Sequence, residues 1–138
     1  MKFKNVIVKK PARTMVNGIS TANLGKPDYE KALKQHEEYV KTLKECGVEV
    51  EILEADEKYP DSTFVEDPAV LTDKCAIITN PGVKSRKGEI KDIKNAIKKY
   101  YSSDQIFEIK APGTLEGGDI MQVEDHFYIG VSDRTNKD

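Results

Sequence analysis

Long apolar runs are missing from these 138 residues, and cysteine and histidine are scarce, with two of each. The longest apolar runs are strand-length, far short of the roughly 20 residues that cross a bilayer as a helix. The opening Met1-Lys2-Phe3-Lys4-Asn5 also lacks the apolar core of a secretory signal. A cytoplasmic location with no membrane partner is therefore expected. Cys46 and Cys75 have no metal-ligand spacing, so free thiols are expected rather than a bridge, with no metal site and no cofactor. Neither sign of charge dominates: 22 basic against 24 acidic residues leave a net charge of -2. That balance gives no broad electrostatic reason to bind nucleic acid, and a small-molecule partner is the better expectation.

What is present is a soluble, globular composition, 38% hydrophobic and 33% charged. The length suits a single domain, or a piece of one, over residues 1–138. Phe3 to Val8 alternates as a strand before a Lys-Lys-Pro stop. Ala12 to Gly25 reads as a long loop, and long loops inside compact domains are often functional. Pro27 and Asp28 open a helix to about Glu45, with Ala32, Leu33, His36, Tyr39, Val40 and Leu43 on one face and Gly47 as its stop. On that stripe His36 reads as a packing residue. Val48, Val50 and Ile52 alternate as a second strand.

Ala69–Leu71 and Ala76–Thr79 flank Thr72-Asp73-Lys74 as a hairpin. A helix is expected from about Gly88 to Tyr101, with Ile90, Ile93, Ile97 and Tyr100 on one face, and then a strand over Ile106 to Ile109. A second hairpin runs through Ile120–Val123, turns at Glu124-Asp125 and returns over Phe127–Ile129. If strand, strand, helix, strand is a repeating unit, a helix should begin near Arg134, where only Thr135 to Asp138 remain. The chain thus reads as cut inside a repeat.

The two hairpins share a charge pattern. Phe64-Val65-Glu66-Asp67 leads into the first and Leu115-Glu116-Gly117-Gly118-Asp119 into the second. Arg86 follows Asp67 by 19 residues and Arg134 follows Asp119 by 15. In a rotational repeat, corresponding loops emerge at one end and face a common axis. Carboxylates suit a cationic group, and an arginine fork matches a carboxylate. Together they suit a zwitterionic amino acid with a basic side chain. Taken singly, each acid is as readily a turn or cap residue, each arginine a solvated one, and Gly117-Gly118 a tight turn.

The ordered set Asp61-Ser62-Thr63-Phe64-Val65-Glu66-Asp67-Pro68, Ser85-Arg86, Leu115-Glu116-Gly117-Gly118-Asp119 and Arg134-Thr135-Asn136 closely resembles bacterial dimethylarginine dimethylaminohydrolases. The likeness extends to Pro11-Ala12-Arg13 and Leu24-Gly25-Lys26-Pro27-Asp28-Tyr29, so it covers essentially the whole chain. It implies an α/β fold, part of the pentein α/β-propeller built from ββαβ modules and related to arginine deiminases and amidinotransferases. It implies that Asp61, Glu66 and Asp67 bind substrate, with Asp67 nearest the guanidinium, and that Arg86 and Arg134 bind the amino-acid end. Phe64 would line the pocket, Ile19 would contribute backbone contacts where the family often has leucine, and Glu116 would orient a catalytic histidine.

The implied chemistry is attack of a cysteine thiolate on the guanidinium carbon of a methylated arginine. Dimethylamine or methylamine leaves, and water then releases citrulline. The family's catalytic histidine and cysteine lie beyond the matched region. His36, His126, Cys46 and Cys75 lack that context, so no hydrolase activity is expected from these residues alone. A propeller cut inside a repeat leaves edges and apolar faces uncovered, which favours self-association. An arginine deiminase, a non-catalytic arginine- or citrulline-binding fragment and a purely structural fragment are the competing expectations.

Overall fold

A computed structural model describes residues 3–138; Met1 and Lys2, part of the opening segment read above, lie outside the described residues. The chain divides into two compact units, one ending at Phe64 and the other beginning at Val65.

In the first unit β1 (Asn5–Lys9) and β2 (Glu49–Leu53) pair in parallel, with Val6 opposite Val50 and Val8 opposite Ile52. Parallel neighbours need a crossover, which α1 (Tyr29–Glu45) supplies. Asp28 caps α1 as the sequence suggests, its side chain accepting from the Lys31 N–H at 2.9 Å. At the far end Gly47 takes φ +79°, the left-handed conformation in which glycine carries no Cβ penalty. Along the apolar stripe Val40 is buried, His36 is half-buried, and Tyr39 is exposed.

Two boundaries in this unit differ from the sequence reading. The strand starts at Asn5 rather than Phe3, which is exposed. The segment read wholly as loop contains a 3-10 turn over Arg13–Asn17. Its cause is distant in sequence: the Glu57 carboxylate accepts the N–H groups of Arg13 at 3.0 Å and Thr14 at 3.1 Å.

The second unit is built on a ββαβ module. β3 (Ala69–Leu71) and β4 (Ala76–Ile78) form the expected antiparallel hairpin, and β5 (Ile106–Glu108) joins β4 in parallel after α2 (Ile90–Ile97). α2 packs against β3 and β4. Ile93, Ala96 and Ile97 are buried, as are Ala69, Ala76 and Ile78 of the sheet. Burying each isoleucine contributes about 1.5–3 kcal/mol. The helix is shorter than its apolar pattern suggests, because beyond Ile97 the chain passes into turns and leaves Tyr100 exposed. The second hairpin, β6 (Ile120–Val123) and β7 (His126–Ile129), turns at Glu124-Asp125 with Glu124 at φ 53°. Arg134 lies in a bend after β7.

Among the described residues no helix is long and apolar enough to cross a membrane. Cys46, at the end of α1, and Cys75, before β4, are free thiols, as expected.

Candidate functional site

In the first unit a second carboxylate, Asp61, holds the loop before α1 further along from Glu57. Both oxygens of Asp61 accept the Ile19 N–H, at 3.0 and 3.2 Å. The approach is so close that a Cβ on Gly18 would come 2.6 Å from Asp61 Oδ1. Asp61 is buried, whereas Ile19 and Phe64 are exposed. Gly18, Ile19, Leu24, Pro60, Asp61 and Phe64 line an open cavity of about 690 Å³. Three of the expected substrate residues, Ile19, Asp61 and Phe64, therefore share one cavity.

The second unit gathers Asp67, Arg86, Glu116 and Arg134 into a cluster. Asp67, at the entrance to β3, accepts from Arg86 Nη1 at 2.5 Å through Oδ2 and from the Gly118 N–H at 2.9 Å through Oδ1. The Gly117 N–H donates to the Asp67 carbonyl at 3.1 Å. A Cβ on Gly117 would overlap the Glu66 carbonyl oxygen, and one on Gly118 would meet Asp67 Oδ1 at 2.7 Å. These glycines are a clamp on Glu66-Asp67, beyond the tight turn that their sequence alone suggests.

Arg86 is 4% exposed, which removes the solvated reading. Its guanidinium lies between Asp67 and Glu89: Glu89 Oε2 accepts from Nε at 3.0 Å and from Nη2 at 2.7 Å. Desolvation alone would favour loss of its proton, but the bonds it donates to Glu89 and Asp67 outweigh that and hold the cation above its ordinary range.

Glu116 is fully buried and, among the described residues, its oxygens receive no well-directed hydrogen bond; its compensation is ionic, from Arg134 Nη1 at 3.1 Å and Arg86 Nη1 at 3.7 Å. Desolvation pushes its carboxyl above the usual range, the two arginines pull it back in part, and Asp67 and Asp119 add to the rise. Asp119 moves the other way, because the hydroxyls of Thr135, at 2.6 Å, and Ser132, at 2.7 Å, donate to Oδ2. Arg134 also reaches Asp119 Oδ1 at 4.0 Å, and its side chain is about half exposed. Glu66 is exposed beside the buried Asp67.

Glu89 and Thr135 belong to this cluster without a site role read from the sequence, and Asp119 joins it as the strand-end carboxylate of the charge pattern. The three-residue spacing of Arg86 and Glu89 was the available signal for Glu89. The apolar cavity of this unit, about 670 Å³ and lined by Val70, Ile77, Ile109, Leu115, Ile120 and Phe127, does not include the expected acids and arginines. Among the described residues no group of three or more histidine, cysteine or acidic side chains is arranged to hold a metal ion.

Comparison with known proteins converges on one family. The model of the eukaryotic N,N dimethylarginine dimethylhydrolase family matches residues 17–138. The N(G),N(G)-dimethylarginine dimethylaminohydrolase of Pseudomonas aeruginosa is 52% identical over 134 residues, 97% of this chain and 52% of that protein. Its counterpart from Streptomyces coelicolor is 34% identical over 137 residues, 99% of this chain and 52% of that protein. A crystal structure of a mutant of the Pseudomonas aeruginosa enzyme complexed with citrulline matches with a TM-score of 0.96 at 50% identity, covering 99% of this chain and 53% of that one. The N-terminal domain of a cyanobacterial arginine dihydrolase, 18% identical with a TM-score of 0.81 over 99% of this chain and 51% of that one, shares the mixed α/β fold. The chain spans about half the length of the curated relatives it matches. With motifs in the family's order and a family match over residues 17–138, the chain belongs to the dimethylarginine dimethylaminohydrolases.

Proposed function

We propose that the protein is an amidine hydrolase acting on Nω-methylated arginine, and that these 138 residues supply substrate-binding groups rather than the nucleophile. The observation that carries this is the imbalance of charge in the second unit. Four carboxylates, Asp67, Glu89, Glu116 and Asp119, stand against two guanidinium groups, Arg86 and Arg134, so the cluster holds two excess negative charges when all are ionised. Buried negative charge of that kind is compensated by a cation, and a substrate guanidinium is one with matching hydrogen-bond geometry.

In this reading Asp67 faces the guanidinium with Glu66 beside it, and Arg86 and Arg134 take the carboxylate end. Asp61 holds the loop whose Ile19 backbone meets substrate, and Phe64 supplies an apolar wall. Keeping the guanidinium protonated keeps its carbon electrophilic. A cysteine thiolate adds there and dimethylamine or methylamine departs. Water then cleaves the covalent intermediate to citrulline. Glu116 would accept a hydrogen bond from a histidine and set its orientation; its oxygens, buried with no well-directed hydrogen bond among the described residues, support that reading. We read β3–β4–α2–β5 as one module of a pentein propeller and β6–β7 as the opening hairpin of the next.

In this reading neither the histidines nor the cysteines of this chain supply the acid or the nucleophile. His36 is half-buried on α1, His126 is exposed on β7, Cys46 caps α1, and Cys75 receives the Thr72 hydroxyl at 3.6 Å in the β3–β4 turn. No cofactor enters this chemistry.

Titration calorimetry tests the reading. The 138-residue chain should bind L-citrulline, and Arg134→Ala should weaken that binding about tenfold or more. No citrulline should form from dimethylarginine with this material alone. Sustained turnover by it, or citrulline binding indifferent to Arg134, would overturn the assignment. A full-length relative carrying these residues should prefer methylated arginine to arginine; the reverse preference would make it an arginine deiminase.

A further inference from the structure

We propose that Glu89 is a positioning residue for Arg86, clamping one edge of its guanidinium and so fixing where the fork receives the carboxylate of an amino-acid ligand. The inference rests on the proposed role of Arg86 at the amino-acid end of the substrate.

An arginine reaches its target through four rotatable bonds, and a buried one is useful only if something sets its plane. Glu89 does so with a single oxygen. Oε2 receives both Nε–H at 3.0 Å and Nη2–H at 2.7 Å, which ties down one edge of the planar group. Asp67 Oδ2 holds Nη1 at 2.5 Å. With contacts at both ends the guanidinium cannot turn about its last bond without breaking a charge-assisted hydrogen bond.

The backbone explains why Glu89 is in place. The Glu89 N–H donates to the Arg86 carbonyl at 3.0 Å, so residues 86–89 form a turn that carries the two side chains to one side. Glu89 then sits at the N-cap of α2, where the helix dipole favours a negative charge. Glu89 is 4% exposed, like Arg86, so the pair works away from water. Asp67 is held independently by Gly118, whereas the Nε edge of Arg86 is held by Glu89. The two acids therefore divide the work, Asp67 facing the cationic end of the ligand and Glu89 standing behind the arginine.

The test compares L-arginine with agmatine, which lacks only the carboxylate, as ligands of the 138-residue chain. Glu89→Gln keeps the size of the side chain and one acceptor oxygen while removing the charge. It should weaken L-arginine binding about tenfold and agmatine binding less than about twofold, because only the first ligand uses the fork. Equal losses for both would show a merely structural role, and no loss for either would show none; both overturn the proposal.

A second measurement needs no ligand. The Arg86 Nε–H should exchange slowly with solvent in the unliganded chain, and at least about tenfold faster in Glu89→Gln. Unchanged exchange in the variant overturns the clamp. If the parent chain binds neither ligand, the proposed function of the site fails, and the exchange measurement still decides whether Glu89 holds Arg86.

Discussion

Asp67 and Gly118, fifty-one residues apart, meet at hydrogen-bonding distance: the Gly118 N–H donates to Asp67 Oδ1 at 2.9 Å, where a Cβ on Gly118 would come 2.7 Å from the same oxygen. Its neighbour Gly117 is pressed against backbone, the Glu66 carbonyl. The two glycines should therefore respond differently to alanine. Gly117→Ala forces main chain apart and should cost about 1–3 kcal/mol of stability. Gly118→Ala meets a side-chain oxygen rather than backbone, so it should cost less than Gly117→Ala while displacing Asp67 and weakening L-arginine binding about tenfold. Denaturant unfolding of the two variants checks this, and equal destabilisation would contradict it.

The Asp61–Ile19 contact makes a local prediction. Asp61→Ala removes both carboxylate oxygens that accept the Ile19 N–H, so that amide should exchange with solvent at least about tenfold faster. Asp61→Asn retains one acceptor oxygen and should lie between. Hydrogen exchange followed residue by residue reads this directly. A uniform acceleration across β1 and β2 would instead mean that the first unit had loosened as a whole.

Removing Arg86 should be far more costly than removing a surface cation. Arg86→Ala strands Asp67 and Glu89 as buried carboxylates, a change worth about 3–5 kcal/mol. The double variant Arg86→Ala with Glu89→Ala should be less destabilised than the two single changes added together, because one stranded charge is gone. Urea unfolding of the four proteins closes the cycle, and strict additivity would mean that the pair is not coupled.

What was legible in the sequence was what is decided locally. Asp28 caps α1, Gly47 ends it, and both hairpins turn where polar residues interrupt apolar runs, because each depends on a few neighbouring residues. Features set by distant partners were not legible. The 3-10 turn at Arg13–Asn17 is created by Glu57, some forty residues on. The extent of α2 was overread because Tyr100 continues the apolar period after the helix has ended. Among the site residues, Asp67, Arg86, Glu116 and Arg134 came from a pattern of charge at corresponding strand ends and from family resemblance. Glu89 escaped both, since an acid at a helix start has an ordinary explanation in capping and only the direction of Arg86 gives it another.

Glu116 and Asp119 should leave opposite marks on the pH dependence of stability. Burial raises the Glu116 carboxyl above its ordinary value of 4.5, against the partial opposition of Arg134 and Arg86. Above that value the folded protein therefore holds a proton that the unfolded chain has lost. Stability from this group must then fall as pH rises from about 4.5 towards the raised value. Hydrogen bonds from Thr135 and Ser132 lower Asp119 below its ordinary value of 3.8, so its contribution is present above that pH and is lost on acidification. Glu116→Gln should accordingly gain stability relative to the parent as pH rises above about 4.5, while Asp119→Asn should flatten the loss below about pH 4. Urea unfolding across that range distinguishes the two, and a Glu116→Gln curve parallel to the parent's above pH 4.5 would mean that the arginines compensate the buried carboxylate in full.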